Sequence, residues 1–349
     1  MPGRSPNSGQ AAPGRRISLD IMSGDESPRS RIRAALRALD AYSDLHLILV
    51  GNQKLITEHL SSASFDQSRL HIVHAEKTIG MDDKPSAALR GREGSSMWLA
   101  LEQVADGHAA ACVSSGNTGA LMAMGRFALK TFVGIDRPAI AAAVPCKGGS
   151  ALLLDMGANV DCSATNLYQF AVMGSQLVAS VNELDAPRVG LLNVGTEDIK
   201  GNEQVRLADR LLKEDGRLNY IGYIEGHDVF AGKADVVVCD GFVGNVTLKT
   251  GEGVANLIRD TLLDAFQQTL WRRFLALIVA PVLRKLYRSI DPVVYNGASF
   301  LGLQGIVVKS HGHSDEEGFY RAIQEAVREV DSDVTGRLSE EVESMLKGD

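Results

Sequence analysis

Short apolar runs alternate with amphipathic ones along most of the chain. Residues 16–20 (RISLD), 45–50, 70–74, 109–113, 139–144, 151–154, 189–194, 220–224 and 236–239 are brief, mainly apolar runs, and they predict strands. Most are followed by a helical pattern, as at 30–39, 86–104 and 120–130, and nearly all end in Gly, Asp or Asn. Pro85 stops the residues before it from being helical. The alternation implies an α/β fold with a mainly parallel sheet covered on both faces. No linker interrupts the middle and no internal repeat is present. In such sheets ligands gather at the carboxyl ends of strands.

The stretch VSSGNTGALMAM (113–124) reads as strand end, tight polar loop and helix start. Gly116 and Gly119 allow left-handed or crowded backbone, so N–H groups at the helix start can converge on one anion such as phosphate. An ordinary N-capped turn, with Asn117 or Thr118 as the cap, fits the same residues. Similar loops recur. MDDKPS carries Asp83 and Lys84, and DMGAN carries Asp155, Gly157 and Asn159. NVGTED carries Asn193, Gly195 and Glu197, with Lys200 just beyond, and CDGFVGN carries Asp240, Gly241 and Asn245. Each alone could be a surface turn or a helix cap. Five at strand ends argue against an entirely structural account.

From Val254 the pattern changes. Val254, Leu257, Ile258, Leu262, Ala265, Phe266 and Leu270 recur at three- and four-residue steps, one apolar helix face. Trp271, Arg272 and Arg273 follow, then the apolar run 274–283 with Leu277 and Ile278, then Arg284, Lys285 and Arg288. Between 254 and 290 six Lys/Arg stand against two Asp/Glu, a local +4 in a chain whose net charge is −7. Ten apolar residues are too few to span a bilayer, which takes about 20. An apolar run flanked by Arg and Trp suits an interfacial helix on anionic lipid or a helix pair in a dimer core.

Composition narrows the picture. The 349 residues, 45% apolar and 23% charged, are ordinary for a globular protein of one large or two smaller α/β domains. The acidic balance argues against general nucleic-acid binding. The four cysteines show no ligand spacing, and reduced thiols in the cytosol are expected. Residues 1–15 have no apolar core segment and read as a disordered tail, residues 16–330 as one α/β domain, and 331–349 as a charged tail or helix.

Several motifs are absent or fail on spacing. GHDVFAGK (226–233) has one residue too many between its glycines and no Ser/Thr after Lys, so it is no P-loop. Gly251, Gly253 and Asn256 miss the third glycine of a dinucleotide fingerprint. No GxSxG or HExxH occurs, and His311 with His313 is only two histidines.

What remains resembles the acyl-ACP:phosphate acyltransferase (PlsX) family of bacterial phospholipid synthesis. The segments that carry the resemblance are LDIMSGD (19–25), MDDKPSAALR (81–90), VSSGNTGALMA (113–123), LLDMGANVDC (153–162), RVGLLNVGTEDIKGN (188–202), GKADVVVCDGFVGNVTLKTGEG (232–253) and FLGLQGIVVKSHGHS (300–314). They run in the family's order over most of residues 17–314. Ile21 and Ser23 stand where the family has smaller residues, and Thr196 where it has Glu. The resemblance implies a three-layer α/β/α sandwich with a Rossmann-like sheet, akin to phosphate acetyltransferases and isocitrate-type dehydrogenases. It implies transfer of a fatty acyl group from acyl carrier protein to inorganic phosphate, with neither nicotinamide nor metal. It also implies a homodimer on the inner face of the cell membrane, and a downstream glycerol-3-phosphate acyltransferase as a further partner. An acyl-CoA:phosphate acyltransferase of the acetyl or butyryl type is the nearest alternative.

On this reading Ser115, Gly116, Asn117, Thr118 and Gly119 hold phosphate, with Lys84 or Arg90 as counter-cation. Asn245 and Lys249 are candidates for oxyanion and phosphate contact, and His311 for protonating the departing thiolate. Gly24, Asp25, Asp83, Asp155, Gly157, Asn159, Asn193, Gly195, Glu197, Lys200, Asp240 and Gly241 complete the candidate substrate site. Arg272, Arg273, Leu277, Ile278, Arg284 and Lys285 form the membrane or partner surface.

Overall fold

The computed structural model describes residues 14–290 and 292–347, and the side chains of 284–290, 292, 294 and 345–347 lie outside the described residues. The chain divides into two compact units, 1–130 with 303–335 and 131–302 with 336–349.

In the first unit β1 (Arg16–Asp20), α1 (Pro28–Ala41), β2 (His46–Gly51), α2 (Gln53–Leu60), β3 (Leu70–His74), α3 (Pro85–Arg90), α4 (Ser96–Ala105), β4 (Ala111–Ser114) and α5 (Thr118–Leu129) follow in order. Local chemistry starts the helices. Ser27 caps α1 with Pro28 in its first turn, and Asn52 and Ser95 cap α2 and α4.

The second unit contains β5 (Ala139–Cys146), β6 (Gly149–Leu154), α6 (Ala164–Asn182), β7 (Val189–Leu192), α7 (Glu203–Asp215), β8 (Tyr220–Ile224), α8 (Gly226–Ala231) and β9 (Val236–Val238). The long helices α9 (Gly241–Gln267) and α10 (Leu270–Ile290) and the strand β10 (Ala298–Leu301) complete it. The chain then returns to the first unit with β11 (Ile306–Lys309) and α11 (Glu316–Asp331), and α12 (Val334–Lys347) follows.

The strands of the first unit run β3-β2-β1-β4-β11, all parallel. Their inner faces pack on α1 and α11 through Ile17, Leu19, Leu47, Leu49, Val113, Ile32, Phe319 and Ile323, all buried. Those of the second unit run β10-β5-β6-β9-β7-β8. Here β6, β9, β7 and β8 are parallel, but β5 pairs antiparallel with both β6 and β10. The antiparallel pair β5–β6 turns at Gly148 and Gly149, both at positive φ.

Each unit thus has the mainly parallel α/β build expected, with three differences from the sequence reading. The 86–104 pattern is two helices, because the segment between Gly91 and Ser95 breaks it, with Gly94 at φ +73°. The antiparallel β5–β6 pair has no crossover helix. Arg15 is not part of a loose tail: it pairs with Asp44 at 2.6 Å and Asp331 at 2.5 Å. Residues 1–13 lie outside the described residues.

α9 and α10 pack on each other. Leu257, Leu270, Trp271, Leu277 and Ile278 remain exposed along them, with Leu277 at 76% and Leu270 at 82%. No described helix is long and apolar enough to cross a membrane.

Candidate active site

In the first unit, buried polar groups tie the strand ends together. Asp20, the last residue of β1, is wholly buried. Its Oδ2 accepts the Ser114 hydroxyl from the end of β4 (2.8 Å), and its Oδ1 accepts the N–H groups of Met22 and Ser23 (3.3 Å each). Ser115 Oγ donates to the Ser23 carbonyl (2.7 Å) and accepts from Nε of Arg31 (2.8 Å). The loop after β11 joins through the Asp25 N–H, which donates to the Gly312 carbonyl (2.9 Å), and His313 Nδ1 lies 3.2 Å from the Asp25 carboxylate.

Asn117 caps α5. Its Oδ1 accepts the Ala120 N–H (3.0 Å), while its Nδ2 donates to the carbonyls of Met81 (2.6 Å) and Asp83 (3.0 Å). The cap satisfies Ala120, so Thr118 and Gly119 present first-turn N–H groups that have no acceptor within the helix. That is the polarity an anion requires. Gly116 and Gly119 do not adopt positive φ. They are needed for room: a Cβ on Gly119 would lie 2.7 Å from Pro85 Cγ, and one on Gly116 would meet Met97 and lie 2.8 Å from Ser23 Cβ. Pro85 opens α3, and Lys84 before it and Arg90 at its end are both exposed. Asp83 is occupied with its own turn, accepting the Gly80 N–H at 2.7 Å. His311 is exposed, and its Nδ1 accepts the His313 N–H at 3.3 Å.

The second unit handles its strand ends differently. Asp155, after β6, is buried and accepts four hydrogen bonds: from the N–H groups of Ile140 (3.0 Å), Ala158 (3.1 Å) and Asn159 (2.7 Å), and from Asn159 Nδ2 (2.9 Å). Burial still pushes its carboxyl above the usual carboxylate value, against those donors. Asn159 Nδ2 also donates to the Pro138 carbonyl (2.9 Å). Both side chains therefore hold their own loop and tie it to the 138–140 segment. Asp240 caps α9 through the Val243 N–H (2.8 Å), and Gly241 N–H donates to the Asn159 carbonyl (2.8 Å). Asn245 and Lys249 stand exposed on the first turns of α9. Asn245 faces Gly157, whose missing side chain leaves that approach open, and Lys249 pairs with Glu252 at 2.8 Å. After β7, Asn193 Nδ2 donates to the Lys200 carbonyl (3.3 Å) and Lys200 N–H to the Glu197 carbonyl (2.9 Å), while Gly195 is buried beneath the Glu197 side chain.

No cysteine is primed to carry an acyl group. Burial raises all four thiols, Cys162 to about 12, so none is a thiolate near neutral pH.

A family model described as fatty acid synthesis protein matches residues 15–337. Proteins named phosphate acyltransferase from Pseudomonas syringae pv. syringae and Halorhodospira halophila are 54% and 50% identical to the chain, each over 95% of it and over 97% and 96% of their own lengths. The chain belongs to this family. Members of the family named in this way are acyltransferase enzymes. Among solved structures, a phosphotransacetylase from Streptococcus pyogenes matches with a TM-score of 0.61 at 18% identity, covering 91% of this chain and 94% of that one. A 4-hydroxythreonine-4-phosphate dehydrogenase from Klebsiella pneumoniae matches with a TM-score of 0.53 at 13% identity, covering 92% and 99%. At such identities these likenesses show the fold alone.

Within this acyltransferase-family fold, Asp20, Ser114, Ser23 and Arg31 organise the α5 turn, and none was singled out from the sequence. Arg31 had a signal: it lies four and seven residues before Ala35 and Ala38, on the apolar face of α1, where Arg29, Arg33 and Arg37 do not. Arg272, Arg273, Leu277 and Ile278 are exposed on α10; the side chains of Arg284 and Lys285 lie outside the described residues.

Proposed function

We propose that the protein transfers a fatty acyl group from acyl carrier protein to inorganic phosphate, giving acyl phosphate, by direct attack of bound phosphate on the thioester. The first turn of α5, whose Thr118 and Gly119 N–H groups have no acceptor within the helix beside the Asn117 cap, carries this reading. Phosphate is partly dianionic near neutral pH and needs aiming more than deprotonation. Held at that turn with Lys84 or Arg90 as counter-cation, one phosphate oxygen attacks the thioester carbon. The carbon–sulfur bond then breaks and the thiolate leaves, taking a proton from His311. Proximity supplies much of the rate. The raised thiols favour this one-step transfer over an acyl-enzyme on cysteine.

The test is to incubate the purified protein with long-chain acyl carrier protein and phosphate, trapping acyl phosphate with hydroxylamine. Acyl hydroxamate that depends on both substrates is expected. Product from acyl-CoA but not from the carrier would replace this donor with the coenzyme thioester. The exposed apolar side chains of α10 with Arg272 and Arg273 support peripheral contact with anionic lipid, and homodimerisation draws on the same helices. Flotation with anionic liposomes should fall in Leu277→Glu; undiminished flotation assigns the run to subunit packing.

A further inference from the structure

Among the described residues Arg31 is the largest wholly buried side chain. A guanidinium removed from water ordinarily sits against a carboxylate. This one has no carboxylate oxygen within ion-pair distance among the described residues. Its Nε bonds a hydroxyl, Ser115 Oγ (2.8 Å), and one terminal nitrogen bonds carbonyls, Glu26 O at 2.7 Å and Ile21 O at 3.5 Å. The other terminal nitrogen, packed against the Cα of Gly24, has no hydrogen-bond partner, and neither has the buried Ser23 Oγ beside it. Burial lowers the pKa of Arg31, while Asp20, Glu26 and Asp25 act on it from longer range in the opposite sense; a guanidinium stays protonated in a protein.

Those three carboxylates make the cation informative. Asp20 ends β1, and Asp25 and Glu26 lie on the loop after it, which Ser115 stitches to the residues opening α5. Without Arg31 those carboxylates would act on a phosphate at this turn with no buried cation among them to offset their charge. A hydrogen-bonded scaffold alone would not need a full charge here, since Ser115 already bonds Ser23.

We propose that Arg31 is a positioning residue that sets the affinity of the α5 turn for inorganic phosphate: it holds Ser115 and the loop after β1 in place and offsets part of the negative charge of Asp20, Asp25 and Glu26. This rests on the phosphate reading given above. It acts on the anion through the loop and through the field, not by touching the acyl donor.

The test measures inorganic phosphate binding to the full-length protein by calorimetry, and phosphate KM with saturating acyl carrier protein, both at low ionic strength. Arg31→Met should weaken phosphate about tenfold, or about 1.4 kcal/mol, with kcat at saturating phosphate and the KM for the acyl donor within about threefold of the parent. Arg31→Lys should regain most of the affinity. Adding Glu26→Gln to Arg31→Met should recover part of the loss, an effect of charge that a packing role would not give. Unchanged phosphate affinity in a folded Arg31→Met protein overturns the proposal, as does a loss that neither Lys nor Glu26→Gln relieves. Should Arg31→Met not fold, Glu26→Gln alone decides: tighter phosphate, by about twofold, supports the proposal, and no change overturns it. A parent protein that binds phosphate but forms no acyl phosphate would refute the catalytic reading and leave the Arg31 comparison intact.

Discussion

The two units carry loops of similar composition at the carboxyl ends of their strands, yet they use polar side chains in opposite ways. In the first unit Asp20, Arg31, Ser114 and Ser115 bind loops to one another and leave first-turn N–H groups of α5 with no acceptor in the helix. In the second, the buried Asp155 draws four donors inward, three from its own loop and one from Ile140 on β5. Donors with no acceptor in the helix suit an anionic ligand; donors drawn inward suit rigidity. Asp155 and Asn159, which look like ligands in the sequence, are therefore largely framework, while Glu197, Lys200, Asn245 and Lys249 stay exposed.

The sharpest way to break the comparison is at Asp155. Asp155→Ala strands two buried N–H groups, of Ile140 and Asn159, and the half-buried one of Ala158, and should cost about 3–5 kcal/mol of unfolding free energy by urea denaturation. A loss below about 1 kcal/mol would mean the loop is not held by this carboxylate. Gly244→Ala comes next: its Cβ would run into the Asp155 carbonyl, backbone that cannot step aside, so about 2–3 kcal/mol is expected.

At the α5 turn the effect should extend from stability to activity. Asn117→Asp keeps the cap oxygen but turns the two donations to Met81 and Asp83 into carboxylate–carbonyl contacts, so stability should fall by about 1–3 kcal/mol while acyl phosphate formation falls about tenfold or more. A variant as active as the parent would remove Asn117 from the site. Lys249→Ala should leave stability within about 0.5 kcal/mol, since among the described residues it pairs only with Glu252, at the surface, and any fall in turnover then reports on substrate.

The smallest effect lies at the opposite, amino edge of the second unit. There Arg188 forks onto Asp235, with Nε at 3.0 Å and the terminal nitrogen at 2.8 Å. The guanidinium holds the Asp235 carboxyl below its usual value. A depressed folded-state pKa contributes stability above the unfolded carboxylate value and loses it as pH falls through the folded one. Arg188→Met should therefore be destabilised at neutral pH by about 1 kcal/mol, and the difference should vanish in acid.

Much of this architecture could be read in advance, and the gaps have physical causes. Strand runs at 16–20, 70–74 and 220–224 coincide with β1, β3 and β8 because short apolar runs bounded by polar turns leave few alternatives. Strand direction was not legible: β5 and β6 are apolar on both faces, and nothing in such a run says which way its partner points. The Gly148–Gly149 turn was the available clue. The loops of the candidate site were found as loops, since Gly, Asn and Asp mark strand ends. Which lone pairs and protons those side chains keep for a ligand depends on partners remote in sequence, such as Ile140 for Asp155 or Met81 for Asn117, and that could not be read from spacing.

One residue joins the helix cap to its neighbouring loop. Asn117 turns its oxygen toward α5 and its nitrogen toward the 81–83 segment, two opposite demands on a single amide. A carboxylate can meet only the first, a hydrocarbon neither, and Gln, longer by one methylene, must shift one end to reach the other. Change at this position thus has no gradual route, and sequence drift in the 81–83 segment is tolerated only so far as its carbonyls stay where that amide can find them.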